Sequence, residues 1–178
     1  MDGDRQQRSR FISSLKNNMQ DIFQKITSYN LFNYLLPGVL FVAILEKFTA
    51  YSLTQDNLVI GAFVYYFVGL VISRFGSLII EPVLKKVSFL KFGDHGDFIS
   101  ASKNDPKIET LVEASNMYRT FTAMFFLLIL ARAYEFVEYK LPTIQSWDLY
   151  ILVGLLLIMF LLSYRKQTQY ITKRIANR

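Results

Sequence analysis

The residues best suited to chemistry lie together in one short turn, where Asp94, His95 and Asp97 are near neighbours. Carboxylate and imidazole groups are metal ligands, so this turn offers donors for a divalent cation. Three ligands on one turn are a weak pattern, and the sequence shows no fourth ligand at a spacing typical of a metal site. We therefore expect a turn with helix-capping carboxylates rather than a metal centre.

Catalytic motifs are missing from the sequence as well. The lone histidine leaves no second imidazole for an acid–base dyad. No glycine-rich phosphate loop, zinc-binding helix motif or nucleophile-elbow serine occurs. The absence of cysteine excludes thiolate metal sites and disulfide bonds. The sequence thus predicts a protein without enzymatic activity and without a cofactor.

Charged residues within apolar stretches are the second group that could have a chemical role. Charges inside a membrane span are functional candidates by default, and here they suggest an ion path. Most of them lie near the ends of their stretches, where a charge costs little, and this weakens that interpretation. Two of them, Arg132 and Glu135, are three residues apart on a helix and are expected to pair. The full set comprises Glu46, Arg74, Glu81, Arg132 and Glu135.

Arg74 is the charge that lies deepest in its apolar stretch. Glu81 follows about two helical turns later, too far for a close pair within one helix. Two interpretations stay open: Arg74 pairs with a group on another subunit, or its long side chain extends to the lipid headgroups.

Apolar residues fall into four blocks that charged residues separate. Hydrophobic residues make up 52% of the chain and aromatic residues 16%, which a soluble domain can also reach, so the clustering decides the class. A helix of about 20 apolar residues crosses a hydrocarbon core of roughly 30 Å. We predict an all-α membrane protein with four transmembrane helices, at residues 31–48, 58–81, 120–137 and 149–164.

The N-terminal segment, residues 1–30, contains a predicted amphipathic interfacial helix. Its apolar residues recur at spacings of three and four, and polar residues occupy the other face. Such a helix can lie in the membrane interface with its basic residues near the lipid phosphates. The alternatives are that its apolar face packs on the rest of the protein, or that the segment is disordered. No cleaved signal peptide is expected.

The long connection, residues 82–119, is predicted to form a cytoplasmic helical extension of the third span. Asp105 and Pro106 are a helix start signal, and no breaker follows before the span. Polar residues then recur at spacings of three and four and form one stripe. The stripe is either a solvated face or a docking surface for a partner protein. Its members are Glu109, Glu113, Asn116 and Arg119.

Span two carries a predicted packing surface. Gly69, Ser73 and Ser77 recur every four residues, and small side chains let a second helix approach closely in a membrane. Together with Arg74 they predict a helix-packing and oligomer-forming face. In span one, Pro37 predicts either a kink or a helix that begins close to the proline.

Basic residues indicate the orientation. Lysine and arginine concentrate in the N-terminal segment, in the long connection and in the tail, residues 165–178, whereas the other two connections hold only Lys47 and Lys140. The positive-inside rule then places both termini in the cytoplasm, in agreement with an even number of spans. No direct nucleic-acid binding is expected, since a membrane anchor needs the same charges. Four basic residues are predicted to contact lipid headgroups: Lys85, Lys86, Arg165 and Lys166.

Two segments, SYNLFNYLLPGVLF at the start of span one and SRFGSLIIEPVLKK at the end of span two, carry a family resemblance. With the length, the four spans and the inward termini, the whole chain resembles the small membrane subunit of the Kiwa anti-phage defence system. The resemblance implies a bacterial inner-membrane protein that self-assembles and has a cytosolic DNA-binding partner subunit. It assigns no site residue.

Two functions are compatible with these patterns. One is an oligomeric, non-enzymatic membrane sensor or scaffold that recruits a cytosolic effector. The other is a pore or ion-conducting effector, which Arg74, Tyr65 and Tyr66 within span two suggest.

Overall fold

The computed structural model describes residues 31–91, 93, 101, 104–105 and 107–176. Every regular element in these ranges is helical, which confirms the all-α class. The predicted interfacial helix of the N-terminal segment and the turn with Asp94, His95 and Asp97 lie outside the described residues.

Four helices make up the described chain. Helix α1 begins with a π-helical turn and continues as an α-helix; helix α2 has a π-helical turn in its second half; a 3₁₀ turn joins α3 to α4. The bounds are α1 at Leu31–Leu35 (π) and Leu36–Phe48, α2 at Leu58–Phe75, Gly76–Ile80 (π) and Glu81–Lys86, α3 at Lys107–Lys140, the 3₁₀ turn at Pro142–Trp147, and α4 at Asp148–Ala176.

Three of the described helices are long and apolar enough to cross a membrane: α2, α3, and α4 with the 3₁₀ turn before it. A protein that crosses a membrane several times is therefore compatible with the structure. Helix α1 extends about 27 Å at 1.5 Å per residue and ends in a Glu46-Lys47 pair, so it is only marginally long enough for a 30 Å core. A fourth span at residues 31–48 stays a prediction.

The starts of α2 and α3 each have a capping side chain. The Asn57 side chain accepts hydrogen bonds from the backbone N–H groups of Val59 and Ile60 and caps α2. The Asp105 carboxylate accepts the N–H of Lys107 at 2.9 Å, which confirms the start signal predicted for α3.

Both π-helical turns end two residues before a proline. Pro37 follows the turn in α1, and Pro82 follows the turn in α2. Proline has no N–H, so an α-helix loses one backbone bond at that point, and a π-helical turn is one way to absorb the defect. The α-helical part of α1 thus begins at Leu36, close to Pro37, after a π-helical turn, and the predicted kink stays a prediction.

Helices α1, α2 and α3 form the core. Ile72, Ile80, Ala123 and Met124 make one buried cluster between α2 and α3. Phe75 and Phe126 stack beside it with ring centroids 6.1 Å apart, and Val42 and Leu45 bring α1 into the same interior. Helix α4 is peripheral: the most apolar window of its segment buries none of its residues.

Glycines set how closely α1 and α2 approach. A Cβ atom on Gly69 would lie 1.7 Å from the Tyr34 carbonyl oxygen, and one on Gly38 would lie 1.8 Å from the Tyr65 carbonyl oxygen. Both obstacles are backbone atoms that cannot rotate away, so only glycine fits at either position. Gly69, predicted as a packing residue, thus packs against α1 of its own chain.

The rest of the predicted packing stripe also meets helices of the same chain. The Thr120 hydroxyl on α3 lies 3.4 Å from the Ser73 hydroxyl, 3.2 Å from Asn33 Oδ1 and 2.8 Å from the Asn116 carbonyl oxygen. Gly76, the next small residue, lies against α3, and Ser77 contacts α4. The helix-packing role of this face is therefore filled within one chain, and its role between subunits stays a prediction.

The two ends of the helix bundle differ in charge. We call residues 77–86, 107–119 and 163–176 the basic end, because lysine and arginine outnumber glutamate there. Residues 46–57 and 132–148 form the acidic end, where carboxylates outnumber basic side chains. The start of α1, through Asn33, and the end of α4, through Lys166, both lie toward the basic end.

Candidate functional site: a basic cleft between α2 and α4

The π-helical turn in α2 creates the first feature of the basic end, a free carbonyl group at Ser77. The N–H of Glu81, which would bond to that carbonyl in an α-helix, bonds instead to the Gly76 carbonyl. In a π-helix the Ser77 carbonyl would accept the N–H of the residue five positions later, but that residue is Pro82, which has no N–H. The Ser77 carbonyl therefore needs a partner from outside the helix.

Lys166 of α4 supplies that partner. Its ammonium group donates to the Ser77 carbonyl oxygen at 2.6 Å and to the Ser77 hydroxyl at 2.8 Å. The Phe67 and Phe160 rings, stacked with centroids 6.2 Å apart, hold the same two helices together nearer the middle of the bundle. These contacts position α4 against α2. Lys166, predicted to contact headgroups, thus also has a role in joining helices.

Glu81 is bound by two basic side chains. Its Oε1 atom lies 2.8 Å from Lys85 Nζ on the same helix, and its Oε2 atom lies 2.8 Å from Arg119 Nη1 on α3. The Glu81 side chain is only 13% exposed and that of Arg119 24%. Arg119, predicted to belong to a solvated or docking stripe, is therefore engaged within the chain.

An excess of positive charge remains around that pair. Lys166 interacts electrostatically with Glu81 and with three further cations, Arg119, Lys85 and Arg74. Three basic side chains, Lys85, Arg119 and Lys166, thus act on one carboxylate, and Arg74 adds a fourth positive charge beside Lys166. Because the region is partly buried, the repulsion among the cations is screened less than it would be at an open surface.

A small cavity of about 30 Å³ opens between α2 and α4 at this point, and we call it the basic cleft. Arg74 on its wall forms no hydrogen bond or ion pair with any described residue, and the buried Ser163 hydroxyl also has no hydrogen-bond partner there. The lining residues are Arg74, Ser77, Leu78, Ser163, Lys166, Gln167 and Tyr170. Arg74 and Lys166 were each singled out in the sequence, but only the structure brings them together.

The other predicted site residues lie outside the basic cleft. Glu109 and Glu113 are exposed on the first turns of α3, whereas Asn116 is half-buried and its carbonyl accepts the Thr120 hydroxyl. Lys86 and Arg165 are exposed at the basic end.

Two apolar residues on α3 were missed by sequence reasoning. Leu111 is 67% exposed and Tyr118 is 68% exposed, seven residues apart and so on one helix face. Helical geometry puts this face roughly opposite Glu109 and Glu113. We call residues 107–119 the α3 projection. The sequence signal was the spacing of Leu111 and Tyr118, hidden by the polar residues between them.

At the acidic end, carboxylates fasten the connection between α1 and α2 to α3. The backbone N–H of Ala50 donates to Glu135 at 2.8 Å, and the Tyr51 hydroxyl donates to Glu138. Burial and the neighbouring Glu138 carboxylate raise the pKa of Tyr51, which keeps this hydroxyl a donor at neutral pH. Glu135 also binds Arg132, which confirms that predicted pair.

These contacts leave the charged residues in two separate groups. Arg132 and Glu135 belong to the acidic end, whereas Arg74 and Glu81 belong to the basic end. Between them lie the hydroxyl and amide groups of Ser73, Thr120 and Asn33. Among the described residues, then, the charges hold the ends of the bundle rather than form a continuous line through it.

The arrangement is best suited to binding an anion at the basic cleft and a protein at the α3 projection. Comparison with known proteins supplies no further assignment: no protein-family model, curated protein or solved structure matches this chain.

Proposed function

We propose that this protein is an oligomeric inner-membrane sensor or scaffold subunit of a bacterial anti-phage defence complex, and that it recruits a cytosolic effector. The observation that carries the proposal is the length of α3. Its 34 residues extend about 51 Å at 1.5 Å per residue, whereas a hydrocarbon core is about 30 Å thick. Roughly 20 Å of this helix therefore extends beyond the membrane.

The surface of the α3 projection supports a docking role. It offers an apolar face with Leu111 and Tyr118 and an acidic face with Glu109 and Glu113. A helix with two such faces suits a groove that buries the apolar side chains and places basic groups beside the carboxylates. The bacterial defence context and the DNA-binding nature of the partner follow from the resemblance to the Kiwa membrane subunit.

The orientation of the proposal follows from charge. Lysine and arginine dominate the basic end, which the positive-inside rule places in the cytoplasm. The α3 projection belongs to that end and then faces a cytosolic partner. With α1 as a fourth span, the N-terminal segment lies on the same side.

The test is a pull-down of the tagged full-length protein from its native host in mild detergent, sized by native mass spectrometry. We expect a homo-oligomer with a cytosolic protein bound. The L111D/Y118D variant should lose that protein and keep the oligomer, because it places charges on the apolar docking face. The matched control is Y139D, which changes a Tyr that is 80% exposed at the acidic end. A monomer without a cytosolic protein would refute the proposal.

The alternative is a pore or ion-conducting effector. Arg74, which has no carboxylate partner among the described residues, is the observation in its favour. Against it, Tyr66 packs edge-on against Tyr34 of α1, and the Tyr65 hydroxyl accepts the N–H of Gln55, so both side chains are used within the chain. Purified protein in liposomes should pass current if the alternative holds, and the absence of current with or without a trigger would exclude it.

A further inference from the structure

The basic cleft has more hydrogen-bond donors than acceptors. An ammonium group has three donors, and Lys166 directs two of them to Ser77. The guanidinium of Arg74 has five donors, none of which binds a described residue, and the buried Ser163 hydroxyl has no partner either. Glu81 cannot neutralise the cleft, because Lys85 and Arg119 already occupy its two oxygens.

We propose that the basic cleft binds the phosphate group of an anionic phospholipid, with Arg74, Lys166 and Ser163 as its donors. A phosphate oxygen accepts several charge-assisted hydrogen bonds at once, and Arg matches its geometry with two parallel donors. The cavity of about 30 Å³ holds roughly two water-sized groups, which is the space that two phosphate oxygens need. Bound phosphate would offset the surplus positive charge and give Ser163 a partner.

The position of the cleft favours a lipid as the source of the phosphate. The cleft is lined by the last two turns of the predicted α2 span and by the end of the predicted α4 span, from which long basic side chains extend to the headgroups. Nearer the middle of the bundle, α2 and α4 are in contact again through Phe67 and Phe160, and both rings are partly exposed. An acyl chain lies along these rings when the headgroup occupies the cleft. This inference requires that the helices lie in a membrane, and it stands independently of the scaffold proposal.

The experiment uses full-length protein in nanodiscs of phosphatidylcholine with or without phosphatidylglycerol, released and weighed by native mass spectrometry. We expect one retained phosphatidylglycerol per chain. S163A should weaken its retention roughly tenfold, the loss of one charge-assisted hydrogen bond, and R74Q should weaken it further, because it removes two donors and a positive charge. The matched control, K173Q, removes an exposed charge of α4 outside the cleft and should retain the lipid as the wild type does.

A further arm of the experiment separates a lipid headgroup from free phosphate. Inorganic phosphate added to phosphatidylcholine nanodiscs should neither bind at stoichiometric amounts nor raise the melting temperature as phosphatidylglycerol does. Equal binding of inorganic phosphate would overturn the lipid assignment.

The control variant tests the location of the site. If K173Q weakened phosphatidylglycerol retention as much as R74Q and S163A do, the result would show only general attraction to the basic end and would overturn the proposed site. S163A removes one hydroxyl from a half-buried position, so it tests the site even if R74Q fails to fold. A failed lipid test leaves the pull-down result unaffected.

Discussion

At the scale of single residues, glycines determine how closely the helices of this protein approach one another. Gly38 and Gly69 bring the backbones of α1 and α2 into direct contact, and Gly76 does the same more loosely for α2 and α3. In a membrane, where apolar side chains gain little by leaving lipid, such close backbone packing is a main source of helix association.

Replacing Gly69 with alanine should separate α1 from α2. The added Cβ would lie 1.7 Å from the Tyr34 carbonyl oxygen, so the helices must move, at a cost of at least about 1–3 kcal/mol. Thermal unfolding of the purified protein in nanodiscs measures the loss. The control is G154A, where a Cβ meets no atom within 4 Å and alanine favours the helix by up to about 1 kcal/mol. If G69A and G154A melted at the same temperature, the close approach would be wrong.

Residue-scale contacts were predictable only where one helix contains both partners. Arg132 and Glu135 are three residues apart, and helical geometry alone pairs them. Glu81 and Arg119 are 38 residues apart on different helices, so their pairing depends on how α2 and α3 pack. Gly69 was predicted to admit a neighbour, but nothing in its spacing specified α1 of the same chain rather than a second subunit.

At the scale of elements, a proline in α2 determines how α4 is attached. The π-helical turn Gly76–Ile80 and Pro82 together leave the Ser77 carbonyl without a backbone donor, and Lys166 binds it. The sequence shows Pro82, but helical periodicity gives no sign of a π-helical turn, and the partner is 89 residues further on. The helix was predictable from the sequence, whereas its local geometry and the lysine contact were not.

This attachment predicts a coupling between Pro82 and Lys166. K166M should destabilise the protein by about 1–2 kcal/mol, because it leaves the partly buried Ser77 carbonyl unpaired. In the P82A background the new N–H at position 82 can donate to the Ser77 carbonyl. K166M should then lower the free energy of unfolding by clearly less. A double-mutant cycle on the free energy of unfolding measures the coupling. In the same cycle with K173M, the effects of the two substitutions on the free energy of unfolding should add. If the effects of P82A and K166M also added, Pro82 would not be the reason for the Lys166–Ser77 contact.

At the scale of the whole molecule, the described part of the helix bundle is polarised in charge from one end to the other. At the basic end, basic side chains lie around a cleft. At the acidic end, carboxylates of α3 bind the connection between α1 and α2. The sequence showed this polarity through its lysine and arginine counts, because residues 77–86 and 163–176 are basic on their own. It could not show the cleft, since that arises only where α2 and α4 meet.

The chain has no cysteine, so single cysteines report its orientation directly. In intact spheroplasts, a membrane-impermeant maleimide should label Q55C at the acidic end. It should label E109C and S9C only after permeabilisation, since the positive-inside rule places both in the cytoplasm. Labelling of S9C from outside would show that residues 31–48 do not cross the membrane and that three spans are correct. Labelling of E109C from outside would invert the topology.

The peripheral position of α4 has a consequence for how the protein is made. Helices α1 to α3 share a core, whereas α4 joins them through one stacked ring pair, the Lys166–Ser77 contact and a hydrogen bond from the Tyr134 hydroxyl to Asp148. Of these four helices, α4 leaves the ribosome after the other three and is also the one on which their packing depends least. Assembly should proceed in two stages, with a three-helix intermediate that accepts α4 afterwards. A chain divided within the 3₁₀ turn Pro142–Trp147 should accordingly reassemble from two co-expressed pieces.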